Sequence, residues 1–525
     1  MTNPYHPRNA LYIALLVSLG GLLFGFDASV VSGVVGFVVP EFSLDEIELG
    51  LLVAAPTIGG FVSGISAGPI ADYVGRKRVL LVLAALYTLS AIGSALAPNY
   101  ETLLFARALG GVAFASLGIA PLYIAEIAPY DRRGFLVSLN QFNIVIGFSI
   151  AYFANFFILQ ISQLDVSWVT SLGIDRFTWR WMFGLEILPA VFWFVALCFV
   201  PETPRWLALN NREPAARKVL ERIRPAERVA ATLENIRQLG VDVGQPFLQR
   251  IAEVFGPRMR LALLVGVTIG VIQQVTGINA ILFYAPTIFE QSGVGTNAAF
   301  AQAALVGVIN VVFTIVAMIL IDRLGRKPLL IIGLLGIVIS MGITAYGFQQ
   351  ATYQLDTAAI ERLDESIDRA ALAALVDEEF ADDLAFKRAA EEALGAQAAR
   401  NSQADLVQAA ISLNATLVLA GLLGFVASFA LSLGPVMWVL FSEIFPARVR
   451  GIALAISMVF NSVASFVVQL LFPWQLANMG NAVTFYIFAA LGVFGVLVVQ
   501  WLLPETKGKT LEELETVMAQ SSRFR

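Results

Sequence analysis

VIQQVTGINAILFYAP, residues Val271–Pro286, lies inside an apolar segment long enough to cross a bilayer, yet carries Gln273, Gln274, Thr276, Asn279 and Tyr284. Each amide both donates and accepts hydrogen bonds, and stranding such a group in hydrocarbon costs several kcal/mol. These side chains must therefore face other helices or a wet cavity. On an ideal helix Gln273 and Asn279 point roughly 120° apart, so spacing alone does not bring them together. A relaxed turn at Thr276–Gly277 lets them converge, as discontinuous membrane helices do. One buried glutamine reads as helix–helix glue. Five polar groups around one glycine favour the wall of a solute site.

The rest of the chain agrees with a membrane setting. Of its 525 residues, 58% are hydrophobic and 14% charged, with a mean hydropathy of +0.76; soluble domains carry about 25% charged residues. Twelve windows long and apolar enough to span appear near 10–39, 47–71, 78–97, 102–128, 135–160, 180–200, 261–290, 299–321, 328–349, 411–441, 451–473 and 481–503. The first is too long for a signal-peptide core and is expected to remain as an anchor. One cysteine (Cys198) and one histidine (His6) exclude an intrachain disulfide, His/Cys metal cages and His-based triads. No Walker motif is present, which argues against ATP-driven work. An enzyme, a metal or cofactor requirement and a nucleic-acid partner are not expected; oligomeric state is left open.

Basic residues cluster after alternate spans: Arg76–Arg78, Arg132 and Arg133, the 201–260 stretch, Arg323 with Arg326 and Lys327, Arg448 with Arg450, and Lys507 with Lys509. The positive-inside rule then places both termini in the cytoplasm of a plasma-membrane protein. Three motifs repeat in order: DYVGRK (Asp72–Lys77) as DRLGRK (Asp322–Lys327), EIAPYDRRG (Glu126–Gly134) as EIFPARVRG (Glu443–Gly451), and PET (Pro201–Thr203) as PET (Pro504–Thr506). The chain is therefore two related six-span halves. The expected domains are an N-terminal bundle over 1–202, a cytoplasmic helical linker over 203–260, and a C-terminal bundle over 261–525 with a short cytoplasmic tail. An extracytoplasmic insertion occupies about 351–408, its acid-rich centre Asp356–Asp405. Ile360, Leu363, Ile367, Leu372 and Leu375 fall at helical spacing, which predicts a solvated helical cap. The repeated Arg76, Glu126, Arg133, Arg326, Glu443 and Arg450 hold loops inside, and their kept spacing favours a second role: pairing across the halves as a cytoplasmic latch.

Three ionisable residues sit within spans: Asp27, Arg107 and Glu186. A charge in the bilayer costs at least about 2.5 kcal/mol, so these should be paired or functional. At about 1.5 Å rise per residue all three fall in the same half of the bilayer and can meet in the N-terminal bundle. A structural Asp27–Arg107 pair is one reading. The other is a proton switch, in which burial favours the protonated acid and the guanidinium favours the carboxylate.

DYVGRK, PETPRWL (Pro201–Leu207), QQVTGIN, GPVMWVLFSEIFP (Gly434–Pro446) and PETKGKTLEELE together resemble the sugar porter family of the major facilitator superfamily, most of all its bacterial proton-coupled monosaccharide symporters. The resemblance spans nearly the whole chain except 356–405. It implies an all-α fold of twelve transmembrane helices in two six-helix bundles, working by alternating access on a monosaccharide, with a proton as coupling ion and membrane lipid as surroundings. Sugar contacts carry over to Gln141, Gln273, Gln274, Asn279, Trp438 and Asn461, with Phe24, Tyr284 and Gly434 as further candidates. Trp438 stands one turn beyond Gly434–Pro435, where a loosened helix can carry it over the site. Proton symporters of the family have Asp at the place of Asp27, and Glu186 assists or orients Arg107. Phe148, Phe283 and Ser462 depart from the xylose-transporting type, where a glutamine, a tyrosine and a tryptophan stand. An uncoupled facilitator and a transporter-like sugar sensor are the alternatives.

Overall fold

A computed structural model describes residues 9–129, 132–241, 247–257, 259–363, 367–446 and 449–507. His6, Arg448, Lys509 and the tail beyond Lys507 lie outside these described residues. Twelve described helices are long and apolar enough to cross a membrane: Asn9–Phe42, Glu46–Val74, Arg76–Ala95, Tyr100–Ile127, Arg133–Ser162, Thr178–Phe199, Arg260–Phe283, Thr296–Leu324, Arg326–Gln349, Ala415–Phe441, Arg450–Asn478 and Asn481–Leu502. They are called spans 1–12 below. Each corresponds to one of the twelve apolar windows, because in lipid a helix is the structure that satisfies its own backbone.

Two compact units form, one from residues 1–28, 55–151 and 183–253, the other from 29–54, 152–182 and 254–525. In the first unit Tyr87, Tyr123 and Trp193 are buried in the core, and the Trp193 indole N–H donates to the Leu16 carbonyl at 3.0 Å. The polar stretch after span 6 forms the helices Pro204–Leu209, Glu213–Ile223 and Ala226–Val241. These are amphipathic, and their Trp206, Leu220 and Ile223 join that same core. The linker is thus packed on the first unit. In the second unit, helices of the C-terminal half pack with the segments 29–54 and 152–182.

The repeated motifs dock on one another within each unit. Gly75 (φ +107°) and Gly325 (φ +92°) turn the chain into spans 3 and 9 with left-handed backbone that favours glycine. The Glu202 carboxylate then accepts from the Arg76 and Lys77 backbone N–H groups at 3.1 Å each, and the Glu505 carboxylate from those of Arg326 and Lys327 at 3.1 Å each. Lys77 Nζ donates to the Cys198 carbonyl and Lys327 Nζ to the Gln500 carbonyl, both at 2.8 Å. The acid of each PET motif is therefore the N-terminal cap of a span, placed where unsatisfied N–H groups and the helix dipole favour negative charge.

The insertion differs from the expected helical cap. It is a small folded body with a three-stranded antiparallel sheet, in the order β2-β1-β3, of β1 (Thr352–Gln354), β2 (Glu379–Phe380) and β3 (Ile411–Ser412). Tyr353 sits opposite both Phe380 and Ile411. Ile360, Leu363, Ile367, Leu372 and Leu375 do not stripe one helix; they are buried around Tyr353 and Phe386 in a core of their own. Its acids have structural partners: Asp356 and Asp382 cap helices, and Asp383 accepts from the Asn481 backbone N–H at 3.2 Å. Lys387 donates to Asp383 at 2.8 Å and to the Leu476 carbonyl at 3.2 Å, which fixes the body on spans 11 and 12.

Replacing Glu202 by Ala removes a charged acceptor from two backbone donors, and is expected to lower stability by about 1–3 kcal/mol. Glu202→Gln, which keeps an acceptor, should lose less. Thermal unfolding of detergent-solubilised protein measures both.

Candidate functional site

Span 7 is broken where the glycine predicts. Its first helix, Arg260–Val275, ends at Thr276; Gly277 (φ +95°) turns the chain, and a second helix runs Ile278–Phe283. A side chain at Gly277 would be strained by that φ, and its Cβ would lie 2.9 Å from the Phe488 ring. The Thr276 hydroxyl donates to the Gln273 carbonyl at 3.0 Å, satisfying backbone released by the turn.

Because of the turn, Gln274 and Asn279 come onto one side: Asn279 Nδ2 donates to Gln274 Oε1 at 2.8 Å. Gln274 Nε2 donates to Asn461 Oδ1 at 3.3 Å, and Asn461 Nδ2 to Gln273 Oε1 at 3.0 Å. Gln273 Nε2 in turn donates to the Leu433 carbonyl at 3.1 Å. That carbonyl follows a break in span 10 at Ser432, between the helices Ala415–Leu431 and Leu433–Ile444. Asn279 also donates to the Ser465 hydroxyl at 2.7 Å, Gln469 Nε2 to the same hydroxyl at 2.7 Å, and the Tyr284 hydroxyl to the Gln469 backbone carbonyl at 3.3 Å. Ser465 and Gln469 belong to this group, and their signal was available: with Asn461 they recur every fourth residue of span 11.

The other expected contacts are not among these hydrogen-bonded groups. Trp438 is 41% exposed and meets Phe441 edge-on at 6.4 Å. Gly434 lies beyond the Ser432 break, so the loosened point of span 10 falls before Gly434–Pro435 and not at it. Gln141 is half-buried on span 5 in the first unit. Phe24, in the same unit, packs edge-on against Phe114 at 4.6 Å and Phe148 at 6.5 Å.

The first unit also holds the three intramembrane charges together. Arg107 Nη1 donates to the Asp27 carboxylate and Nη2 to the Asp27 backbone carbonyl at 3.1 Å. The Arg107 guanidinium lies 5.3 Å from the centre of the Phe183 ring. Asp27 is 0%, Arg107 1% and Glu186 1% exposed, and Glu186 is close enough to interact electrostatically with both of the others.

The basic-loop motifs form ion pairs of their own. Arg76 pairs with Glu126 at 3.2 Å and Asp72 at 2.7 Å, and Arg326 with Glu443 at 2.6 Å and Asp322 at 3.3 Å. These pairs run within each half of the chain and not across the halves. Each Arg opens a span and turns back across the glycine to the Asp four residues earlier, at the end of the preceding span, and its Glu reaches it inside the same unit. Arg133 and Arg450 begin spans 5 and 11, and Arg450 Nε donates to the Phe445 carbonyl at 3.0 Å.

With this arrangement in view, the protein has the architecture of a major facilitator carrier. A family model described as sugar (and other) transporter matches residues 13–362 and 396–518. The arabinose-proton symporter of Bacillus subtilis (strain 168) is 32% identical over 506 residues, covering 96% of this chain and 94% of that protein. The D-xylose-proton symporter of Escherichia coli (strain K12) is 34% identical over 552 residues, covering 98% and 97%. The inward open conformation of the xylose transporter XylE from E. coli superposes with a TM-score of 0.71 at 30% identity, covering 97% of this chain and 99% of that one. The chain belongs to the sugar porter family of the major facilitator superfamily.

Two substitutions probe these clusters. Gly277→Ala should destabilise by at least about 1 kcal/mol through backbone strain and the Phe488 clash. Arg107→Ala leaves two buried carboxyls without their cation and should cost about 3–5 kcal/mol, with Asp27→Asn in the same chain restoring part of the loss. Unfolding temperatures of the single and double variants check the coupling.

Proposed function

We propose that this protein carries a monosaccharide across the plasma membrane by alternating access, in symport with a proton, with both termini in the cytoplasm. The observation that carries the sugar reading is the group of Gln273, Gln274, Asn279 and Asn461 side chains gathered at the Gly277 break. These carboxamides hydrogen-bond one another and so can exchange those bonds for a sugar's vicinal hydroxyls, donor and acceptor in turn. Gln141, Phe24 and Trp438 are proposed as further contacts on the strength of family resemblance. The names of the arabinose, xylose and galactose symporters among its relatives support the substrate class.

For the proton we assign Asp27, Arg107 and Glu186. Two carboxyls and one guanidinium, all buried, leave one negative charge in excess unless one carboxyl carries a proton, and an uncompensated buried charge is strongly disfavoured. The trio is therefore neutral when loaded, and any motion that separates Arg107 from Asp27 changes the proton's hold. One proton moving down about 100 mV supplies about 2.3 kcal/mol, nearly fiftyfold in accumulation.

The protein reconstituted in proteoliposomes should accumulate sugar under an imposed proton gradient and alkalinise a weakly buffered outer medium as it does so. Asp27→Asn should keep counterflow of labelled sugar and lose accumulation by at least about tenfold. Accumulation unchanged in Asp27→Asn would assign the trio a purely structural role and favour an uncoupled facilitator.

A further inference from the structure

The hydrogen bonds at the Gly277 break have a direction, and two backbone carbonyls set it. A carbonyl oxygen only accepts, so Gln273 presents its nitrogen to Leu433 at 3.1 Å and Asn461 presents its nitrogen to Gly270 at 2.8 Å. The second Asn461 N–H goes to Gln273 Oε1 at 3.0 Å. Two carboxamide oxygens are thereby turned toward Gln274, whose Nε2 donates to Gln273 Oε1 at 3.2 Å and to Asn461 Oδ1 at 3.3 Å. Gln274 has only its oxygen left for Asn279, and Asn279 meets it with Nδ2 at 2.8 Å.

The polarity passed along these amides ends at Asn279. Its other N–H is given to Ser465 Oγ at 2.7 Å, and Gln469 Nε2 donates to the same oxygen at 2.7 Å. An amide N–H cannot accept, so both lone pairs of the hydroxyl are taken and Ser465 is restricted to receiving Asn279. With both hydrogens spent, Asn279 keeps an Oδ1 that accepts no bond from the described residues. Burial separates the roles. Gln273, Gln274, Asn461, Ser465 and Gln469 are all buried, Gln469 at 1% exposure, whereas Asn279 is half-buried. Asn279 is thus the most accessible member of the group, and what it has to offer is an acceptor. A solute hydroxyl that donates its proton satisfies Oδ1 without breaking a bond in the protein; an ether oxygen or a fluorine at the same place cannot.

We infer that Ser465 and Gln469 are positioning residues of the sugar site. They hold the Asn279 amide nitrogen inward, so that the site reads one sugar hydroxyl as a proton donor. This assignment rests on the sugar-transport reading above and adds to it the polarity of one contact. Both residues act on the sugar through Asn279.

Binding of D-xylose, D-glucose and D-galactose to the purified full-length protein, in competition with their monodeoxy and monodeoxyfluoro analogues, tests it. Fluorine accepts weakly and never donates. At one ring position the two analogues should therefore bind equally, and each about tenfold more weakly than the parent sugar, the loss of one good hydrogen bond. Fluorine that restores affinity at every position where deoxygenation weakens binding would overturn the assignment while leaving sugar binding intact. This series uses the unaltered chain and so stands even where a variant fails to fold. Ser465→Ala releases the Asn279 amide: the penalty at that one position should fall below about threefold, with penalties at the other hydroxyls kept. Ser465→Thr, which retains the hydroxyl, should recover the wild-type pattern, and Gln469→Leu should shift it as Ser465→Ala does. A Ser465→Ala protein whose penalties change at every position alike, or at none, would make Ser465 and Gln469 packing residues and overturn the assignment. No binding of any of the three sugars by wild type would bring down the transport reading, and this one with it.

Discussion

Interrupting a helix in a medium without water releases backbone donors and acceptors that must find partners at once. Span 7 does this at Thr276–Gly277, and much of the second unit answers to it. Thr276 folds its hydroxyl back onto the Gln273 carbonyl. The turn swings Asn279 round to Gln274, and Asn461 of span 11 closes the group. Gln273 then reaches the Leu433 carbonyl beside a second interruption in span 10. Two broken spans and one continuous one are thereby joined through carboxamides, which satisfy each other in the absence of solute and are chemically matched to hydroxyl groups.

A comparable constraint governs the first unit. Asp27 and Arg107 lie eighty residues apart on different spans and are fully enclosed. The Phe183 ring lies against the guanidinium and the whole group is buried, which strengthens its electrostatics. Such a site holds its charges by geometry, and its charge state is tied to small changes in that geometry.

Much of this was legible in the sequence, for physical reasons that also explain the exceptions. Helices in lipid advertise themselves by length and hydropathy, and the glycine of QQVTGIN marked its own break. The convergence of Asp27, Arg107 and Glu186 followed from depth along their helices. The insertion hid its sheet because strands of two or three residues carry no usable alternation, and β2 and β3 meet β1 from far along the chain. The basic motifs fit a partner in either half equally well by spacing, and only coordinates show that Arg76 and Arg326 stay at home. Glu202 and Glu505 were visible as repeats; their capping of spans 3 and 9 became evident once the GRK backbone and the PET acid were placed side by side.

The pairing of β1 with β3 has a wider meaning. It ties Tyr353, just past the end of span 9, to Ile411, just before the start of span 10, so the chain leaves and re-enters the membrane domain at a single stem. Bodies joined in this way behave as grafts, since loop-closure entropy changes only slowly with the length enclosed. A short turn spliced in place of the graft would keep all twelve spans while taking away the Lys387 tie to the Leu476 carbonyl. The scaffold thus separates, at one seam, the part that crosses the bilayer from the part that rests upon it.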